Sequence, residues 1–359
     1  TSMSRMLLLA HTNIYGPFRV GSHHYAREFA RIGIDVVHLS TPASFAHRVT
    51  GRVSSAELDA VPRGAHRDDF GVVHVVPRTV LPRPYGRFRV DRELARQGID
   101  PTFDTVLLDQ PLLWDHSVRQ LAPQLIYRPT DTYPDGIKAR LQEQIVAQAD
   151  AVVATSDEVL TSLGALSVPT LVLENGVDVR HFAASPSHAS PREDICVYVG
   201  ALDSRLDWAQ LIGWATGHPS TRFVVAGPAA PSAPPGLPAN ISLVGAVDYA
   251  NLPALLRSAR VGMLPLSDNP GNAGRSPMKL HEYLAAELSV VARRTPVIGP
   301  DESAGIFTYT DATDADAALT RALSHPSPNM AGAIRAAAET WEVKARAFLD
   351  FLADLNRPR

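Results

Sequence analysis

Val261-Gly262-Met263-Leu264-Pro265-Leu266, a Gly/Asn-rich loop from Asp268 to Gly274, Ser276-Pro277-Met278-Lys279-Leu280-His281-Glu282-Tyr283-Leu284-Ala285-Ala286, and then Ser289-Val290-Val291-Ala292: this order decides the fold. The two apolar runs are short and continuous, as strands buried on both faces of a parallel sheet are. Between them lies an open loop and then a helical pattern, so the unit reads strand, loop, helix, strand. The loop delivers a helix N-terminus, a cation at Lys279 and a carboxylate at Glu282. Positions i and i+3 share a helix face. Backbone N–H groups with an ammonium suit a diphosphate, and a carboxylate nearby suits ribose hydroxyls. The competing reading is a solvated Lys–Glu pair on a helix surface.

The same alternation runs outward in both directions. Strands are predicted at 6–10, 35–39, 71–76, 105–109, 124–128, 151–155 and 170–173, with helices at 22–32 and 135–148. Strands return at 195–199, 222–226, 241–244, 261–264 and 289–292, with helices at 206–216, 249–258, 277–287 and 314–324. Two rounds of β/α alternation are the signature of two doubly wound units. A Ser/Pro/Ala-rich stretch without period, 179–193, reads as the linker, and Pro228 to Pro238 as a loop. A last helix is predicted over about 331–354, with Ala331, Ile334, Ala338, Trp341, Ala345, Phe348 and Leu352 as its apolar stripe.

Bulk properties bound the alternatives. The 359 residues are 45% hydrophobic and 20% charged, with a net charge of -3, which favours a globular chain of two domains and gives no argument for nucleic acid as a partner. Met6 to Ala10 is too short for a membrane span and reads as a buried strand. Thr1-Ser2 is set aside from fold reasoning. The single cysteine, Cys196, excludes an internal disulfide framework and reads as a buried strand residue. The cytoplasm is the expected compartment, with association at the cytoplasmic face of a membrane as an addition to it.

No G-x-G-x-x-G follows the first strand and no P-loop is present, which argues against a standard NAD or ATP site. Gly16 to Ser22 is still a glycine-bearing loop at the carboxyl end of the first strand, where ligands bind in open α/β sheets. Gly16, Gly21 and His11 are therefore acceptor-side candidates, beside the plain-turn reading. Asp131 lies beyond the strand that ends at Arg128. It reads either as a general base for a hydroxyl or as a helix cap or partner of Arg128. Asn175-Gly176 reads as a tight turn. Gly200 permits close backbone approach, and Arg205 reads as a phosphate contact or a surface arginine. Arg78, Arg83, Arg87, Arg89, Arg92 and Arg96, interleaved with Val80, Leu81, Tyr85 and Phe88, read as a solvated charged segment, or as a dock for an anionic acceptor or a peripheral membrane contact through 77–96. The adjacent His23 and His24 are poor chelators. Asp314-Ala315-Asp316 reads as a helix cap rather than a metal motif, and no metal site is expected.

Tyr127-Arg128-Pro129-Thr130-Asp131, Gly176-Val177-Asp178 and Ser276-Pro277-Met278-Lys279-Leu280 together resemble the GT-B glycosyltransferases, in particular the GumK-like glucuronosyltransferase group and the neighbouring GT4 family. The resemblance runs along most of the chain. It implies two Rossmann-like domains facing a cleft, an acceptor domain at 1–178, a linker at 179–193 and a donor domain at 194–335. It further implies a final helix, 336–359, that crosses back to the first domain. Gly200, Arg205, Ser276, Met278 and Lys279 are then implied donor contacts, Glu282 the ribose contact and Asp131 the base. The implied activity is transfer from a nucleotide diphosphate sugar, UDP before GDP or dTDP, to a small-molecule or lipid-linked saccharide acceptor, without metal or other cofactor. Gly274 stands where retaining enzymes carry the first glutamate of Glu-x7-Glu, so inversion is favoured. Ala246 follows Gly245 where GumK-like enzymes carry a glutamate, so the contacts to the nucleotide base do not carry over. A GT-B-fold sugar-nucleotide epimerase and a two-domain ligand-binding protein without chemistry are the alternatives.

Overall fold

The computed structural model describes residues 4–44, 59–83, 85, 88–183, 192–228 and 233–357. Arg87 and most of the expected linker fall outside these residues. Two compact units are present: Thr1–Glu174 with Ala345–Arg359, and Asn175–Lys344. The sequence reading puts these boundaries at 178 and 336.

The first unit contains β1 (Arg5–Ala10), β2 (Asp35–Ser40), β3 (Ala43–Ser44), β4 (His66–Arg67), β5 (Val73–Val75), β6 (Arg78–Thr79), β7 (Thr105–Leu108), β8 (Gln124–Tyr127), β9 (Ala151–Ala154) and β10 (Thr170–Val172). Its main sheet has the order β10-β9-β8-β7-β1-β2-β5-β4, parallel except for β4 against β5. Strand order reverses beside β1, with β2 on one side and β7 on the other, which creates the crevice of a doubly wound sheet. Leu7, Leu9, Val37, Leu39, Val106, Leu108, Leu125 and Tyr127 carry the core of one face.

The second unit contains β11 (Ile195–Val199), β12 (Arg222–Ala226), β13 (Ile241–Gly245), β14 (Val261–Leu264), β15 (Ser289–Arg293) and β16 (Ile306–Tyr309). All six strands are parallel, in the order β13-β12-β11-β14-β15-β16, and the order reverses between β11 and β14. Alternate residues of β11 enter different cores. Ile195, Val197 and Val199 join the cluster containing Tyr283 and Leu284, whereas Cys196 and Tyr198 join the one containing Trp214 and Phe223. Burial on both faces explains why these strands read as continuous apolar runs. Cys196 is buried, and desolvation raises the pKa of its thiol.

Two expectations need correction. The strand β16 is absent from the sequence reading, because a four-residue run after an αL glycine, Gly305, gives too little pattern. The final helix is two helices, Met330–Ala337 and Trp341–Leu355. The interruption is where Thr340 bridges to Val177. It shifts the helical phase, so Ala331, Ile334 and Ala338 are exposed while Trp341, Ala345, Phe348 and Leu352 are buried. Phe348 packs on Tyr25 and Phe29 inside the first unit, with ring centroids 5.8 and 5.4 Å away. Asp314 completes a capping box with Asp311 at the start of helix Ala312–Ser324, as the cap reading expects.

Candidate functional site

In the second unit, the loops leaving β11 and β14 meet at the point where strand order reverses. Asn272 donates from Nδ2 to the carbonyls of Arg205 and Ser267, both at 3.1 Å, and Leu206 bridges to Leu266. The loop then delivers helix Met278–Ala285. Its N-cap is Pro277, which offers no side-chain acceptor, so the first-turn N–H groups have no side-chain cap. On this turn Lys279 Nζ donates to Glu282 Oε2 at 2.5 Å. The Glu282 side chain is 2% exposed and that of Lys279 23%, so this is not the solvated pair of the competing reading.

Each neighbour of this pair has a traceable position. Ser276 is buried; its Oγ accepts from Asn175 N at 3.0 Å, and its carbonyl accepts from Asn175 Nδ2 at 2.9 Å. Met278 opens the helix and is half-buried. Gly200 opens the loop after β11, where a Cβ would stand 2.7 Å from Tyr198 Oη. The close approach that requires glycine there is thus to a tyrosine of the same strand. Arg205 lies in the same loop, and its guanidinium makes a two-pronged contact with Asp203, with Nε–Oδ1 at 2.9 Å and Nη2–Oδ2 at 2.5 Å.

The sequence reading misses Tyr283 and Gly262. Tyr283 Oη accepts from Val199 N at 2.9 Å, which ties helix Met278–Ala285 to the end of β11. Its ring lies across Gly262, where a Cβ would be 2.3 Å from Cδ2. The sequence signal for this was present as a glycine inside an apolar strand. His281, between Lys279 and Glu282 in sequence, is buried with Nδ1 unpartnered, and desolvation pushes its pKa down to about 4.

Gly176 proves different from its reading as a tight turn. Its φ is not positive, and an added Cβ would lie 2.9 Å from both Glu339 O and Trp341 N. Val177 N donates to Glu339 O and Trp341 N to Val177 O, so Gly176 is small because two backbones touch there. Asp178 caps helix Val179–Phe182 through His181 N.

In the first unit, Asp131 follows β8 and does neither of its structural alternatives. Helix Gly136–Val146 has Asp135 at its N-cap, and Arg128 pairs with Asp109, Nη1–Oδ2 at 2.6 Å, in full burial. Asp131 is half-buried and accepts weakly from Thr130 Oγ1 at 3.4 Å. His11 follows β1 and is accessible. Its pKa is lowered by desolvation and then by Lys138, against the opposing pull of Asp131. His11, Asp131 and Lys138 therefore share one electrostatic neighbourhood at the carboxyl edge of the sheet. Gly16 has open space where a Cβ would stand, and its carbonyl accepts from Arg19 at 2.9 Å. Gly21 is buried as the first residue of helix Gly21–Arg31.

Among the described residues of 77–96, four of the arginines have partners within the fold. Arg78 donates to Val61 O, Arg83 to Leu112 O, Arg89 to Asp91 and Arg96 to Glu93. These contacts favour the solvated charged segment and give no support to a membrane contact. Among the described residues no helix is long and apolar enough to cross a membrane.

Two doubly wound units, with the final residues of the chain belonging to the first, share their fold with solved structures over nearly the whole chain. The fold is GT-B. A sucrose-phosphate synthase from Thermosynechococcus elongatus superposes with a TM-score of 0.70 at 15% identity, covering 98% of this chain and 99% of that one. Anabaena Alr3699/HepE in complex with UDP-glucose gives 0.67 at 14% identity, covering 98% and 99%. Residues 193–325, most of the second GT-B unit, match the family Glycosyl transferases group 1. TuaH of Bacillus subtilis (strain 168), assigned to teichuronic acid biosynthesis as a glycosyltransferase, is 27% identical over 184 residues. That match covers 47% of this chain and 46% of TuaH, so the aligned part spans about half the length of that relative.

Proposed function

We propose that this GT-B chain is a glycosyltransferase that takes a sugar from a nucleotide diphosphate donor, UDP before GDP or dTDP, and places it on an acceptor hydroxyl. The observation that carries the reading is Lys279 beside buried Glu282 on the first turn of a helix without a side-chain cap, at the strand-order reversal of the second unit. An ammonium and free N–H groups aimed at one place stabilise charge on a leaving diphosphate without a metal. Glu282 holds Lys279 in place through one oxygen and offers the other to a ribose hydroxyl. Asp131, neither capping nor ion-paired with Arg128, takes the proton of the attacking acceptor, which gives inversion. A UDP-sugar bound by Anabaena Alr3699/HepE supports the choice of nucleotide by analogy of fold.

The acceptor is a small-molecule or lipid-linked saccharide, a reading supported by the match to TuaH, a glycosyltransferase of teichuronic acid biosynthesis. The deciding experiment is a panel of UDP-, GDP- and dTDP-sugars, scored by thermal shift and by nucleotide release with and without saccharide acceptors. Stabilisation by UDP and acceptor-dependent UDP release are expected. Isomerised donor in the absence of acceptor, or no stabilisation by any nucleotide, overturns the reading.

A further inference from the structure

Helix Met278–Ala285 carries Lys279 and Glu282, yet its N-cap, Pro277, supplies no side chain to fix the entry of the chain into the first turn. Ser276, just ahead of that cap, is held from 101 residues away in sequence. Asn175 N donates to Ser276 Oγ at 3.0 Å, and Asn175 Nδ2 donates to Ser276 O at 2.9 Å. One residue thus grips both the side chain and the main chain of the other. Ser276 is 5% exposed, so water competes little for these bonds.

Asn175 is anchored in its turn. The next residue is Gly176, where Glu339 O and Trp341 N lie 2.9 Å from the place of a Cβ. After it comes Val177, whose N–H donates to Glu339 O and whose carbonyl accepts from Trp341 N. All of these residues belong to the second unit. The Ser276 hydroxyl acts as an acceptor in this arrangement. Its own hydrogen meets no acceptor among the described residues and remains available to a ligand oxygen. Groups that stabilise developing charge must be held within about 0.5 Å by partners that are themselves locked. We infer that Asn175 is a positioning residue for the leaving diphosphate: through Ser276 it sets the start of helix Met278–Ala285, and with it Lys279. This role rests on the proposed transferase reading and adds to it a residue that acts through others rather than by contact with the donor.

Titration of the full chain with UDP and with uridine tests this, because uridine has the same nucleoside and no diphosphate. Asn175→Ala removes the Nδ2 donor and should weaken UDP about 3- to 10-fold, the range of one net hydrogen bond, with uridine unchanged. A merely structural role would loosen the whole nucleotide site, so equal weakening of UDP and uridine overturns the inference. In a Lys279→Ala background the same substitution should lose most of its effect on UDP, and full additivity breaks the link between the two residues. The wild-type chain supplies a readout that needs no variant to fold. UDP should slow exchange of the Asn175 amide, which donates to Ser276 Oγ, and uridine should not. Equal protection by both ligands, or by neither, counts against the role of Asn175. Absence of UDP binding by wild type sinks the transferase reading together with this inference, whereas UDP binding indifferent to Asn175→Ala sinks the inference alone.

Discussion

Lys279 Nζ lies 2.5 Å from the carboxylate of Glu282, and the carboxylate is the buried member of the pair. This asymmetry sets the consequences of mutation. Removing the lysine deletes the charge offered to a diphosphate and leaves a buried anion without its partner. Charge-assisted contacts contribute about 1.5–3 kcal/mol, so Lys279→Ala is expected to weaken UDP by about 10- to 150-fold. Direct titration with UDP measures this. A variant that binds UDP as well as wild type removes Lys279 from the donor site.

Gly262→Ala should disrupt the same site from behind. The new methyl would meet the Tyr283 ring at 2.3–2.4 Å, and Tyr283 holds the backbone of Val199 through its hydroxyl. Overpacking of this kind costs about 1–3 kcal/mol. Gly213, inside helix Trp208–Gly217 with nothing within 4 Å of an added Cβ, is the opposite case. Gly213→Ala should stabilise by about 0.5–1 kcal/mol. Urea unfolding of the two variants should therefore move in opposite directions, and a shared direction contradicts the packing argument.

The parallel strands and the loop-to-helix unit around Lys279 were legible because strands buried on both faces read as uninterrupted apolar runs. What escaped was set by contacts distant in sequence. Gly176 is glycine because residues 339–341 touch its backbone, and nothing local to Asn175-Gly176 encodes that. Arg128 has its partner in Asp109 on the neighbouring strand rather than in Asp131 nearby. The break near Thr340 follows from its bridge to Val177, which a continuous helical period across 331–354 conceals.

Phe348→Ala should loosen the first unit. The ring is fully buried against Tyr25 and Phe29, which belong to the helix that follows the His11 loop. Phe→Ala in a core costs about 3–5 kcal/mol. Faster amide exchange across Gly21–Arg31 is expected. Unchanged protection there means that the terminal helix contributes little to this core.

Acid should weaken the first unit through three clustered histidines. His23 and His38 have ring centroids 5.0 Å apart, and His38 and His74 5.3 Å apart, all buried. His23 accepts from Val20 N at Nδ1 and donates from Nε2 to Thr12 O; His38 meets Ser22, and His74 meets Asp68 at 2.9 Å. Desolvation pushes His23 down to about 3, with Arg19 and His74 adding to it against the Thr12 carbonyl. Desolvation likewise places His38 well below 6.5, helped by His23 and His74. It lowers His74 too, which Asp68 opposes and His66 and Arg19 reinforce. Above pH 6.5 folded and unfolded chains both keep these rings neutral, and the stability they allow is complete. Below it the unfolded chain binds protons that the folded chain excludes, so stability falls as pH drops from about 6.5 toward 3, by up to about 1.4 kcal/mol per pH unit for each ring. Hydrogen exchange of the Asp35–Ser40 amides between pH 7 and 4.5 should show the loss, and His38→Gln should make its slope shallower. A slope unchanged by His38→Gln would mean that carboxylates, and not this cluster, govern the acid sensitivity.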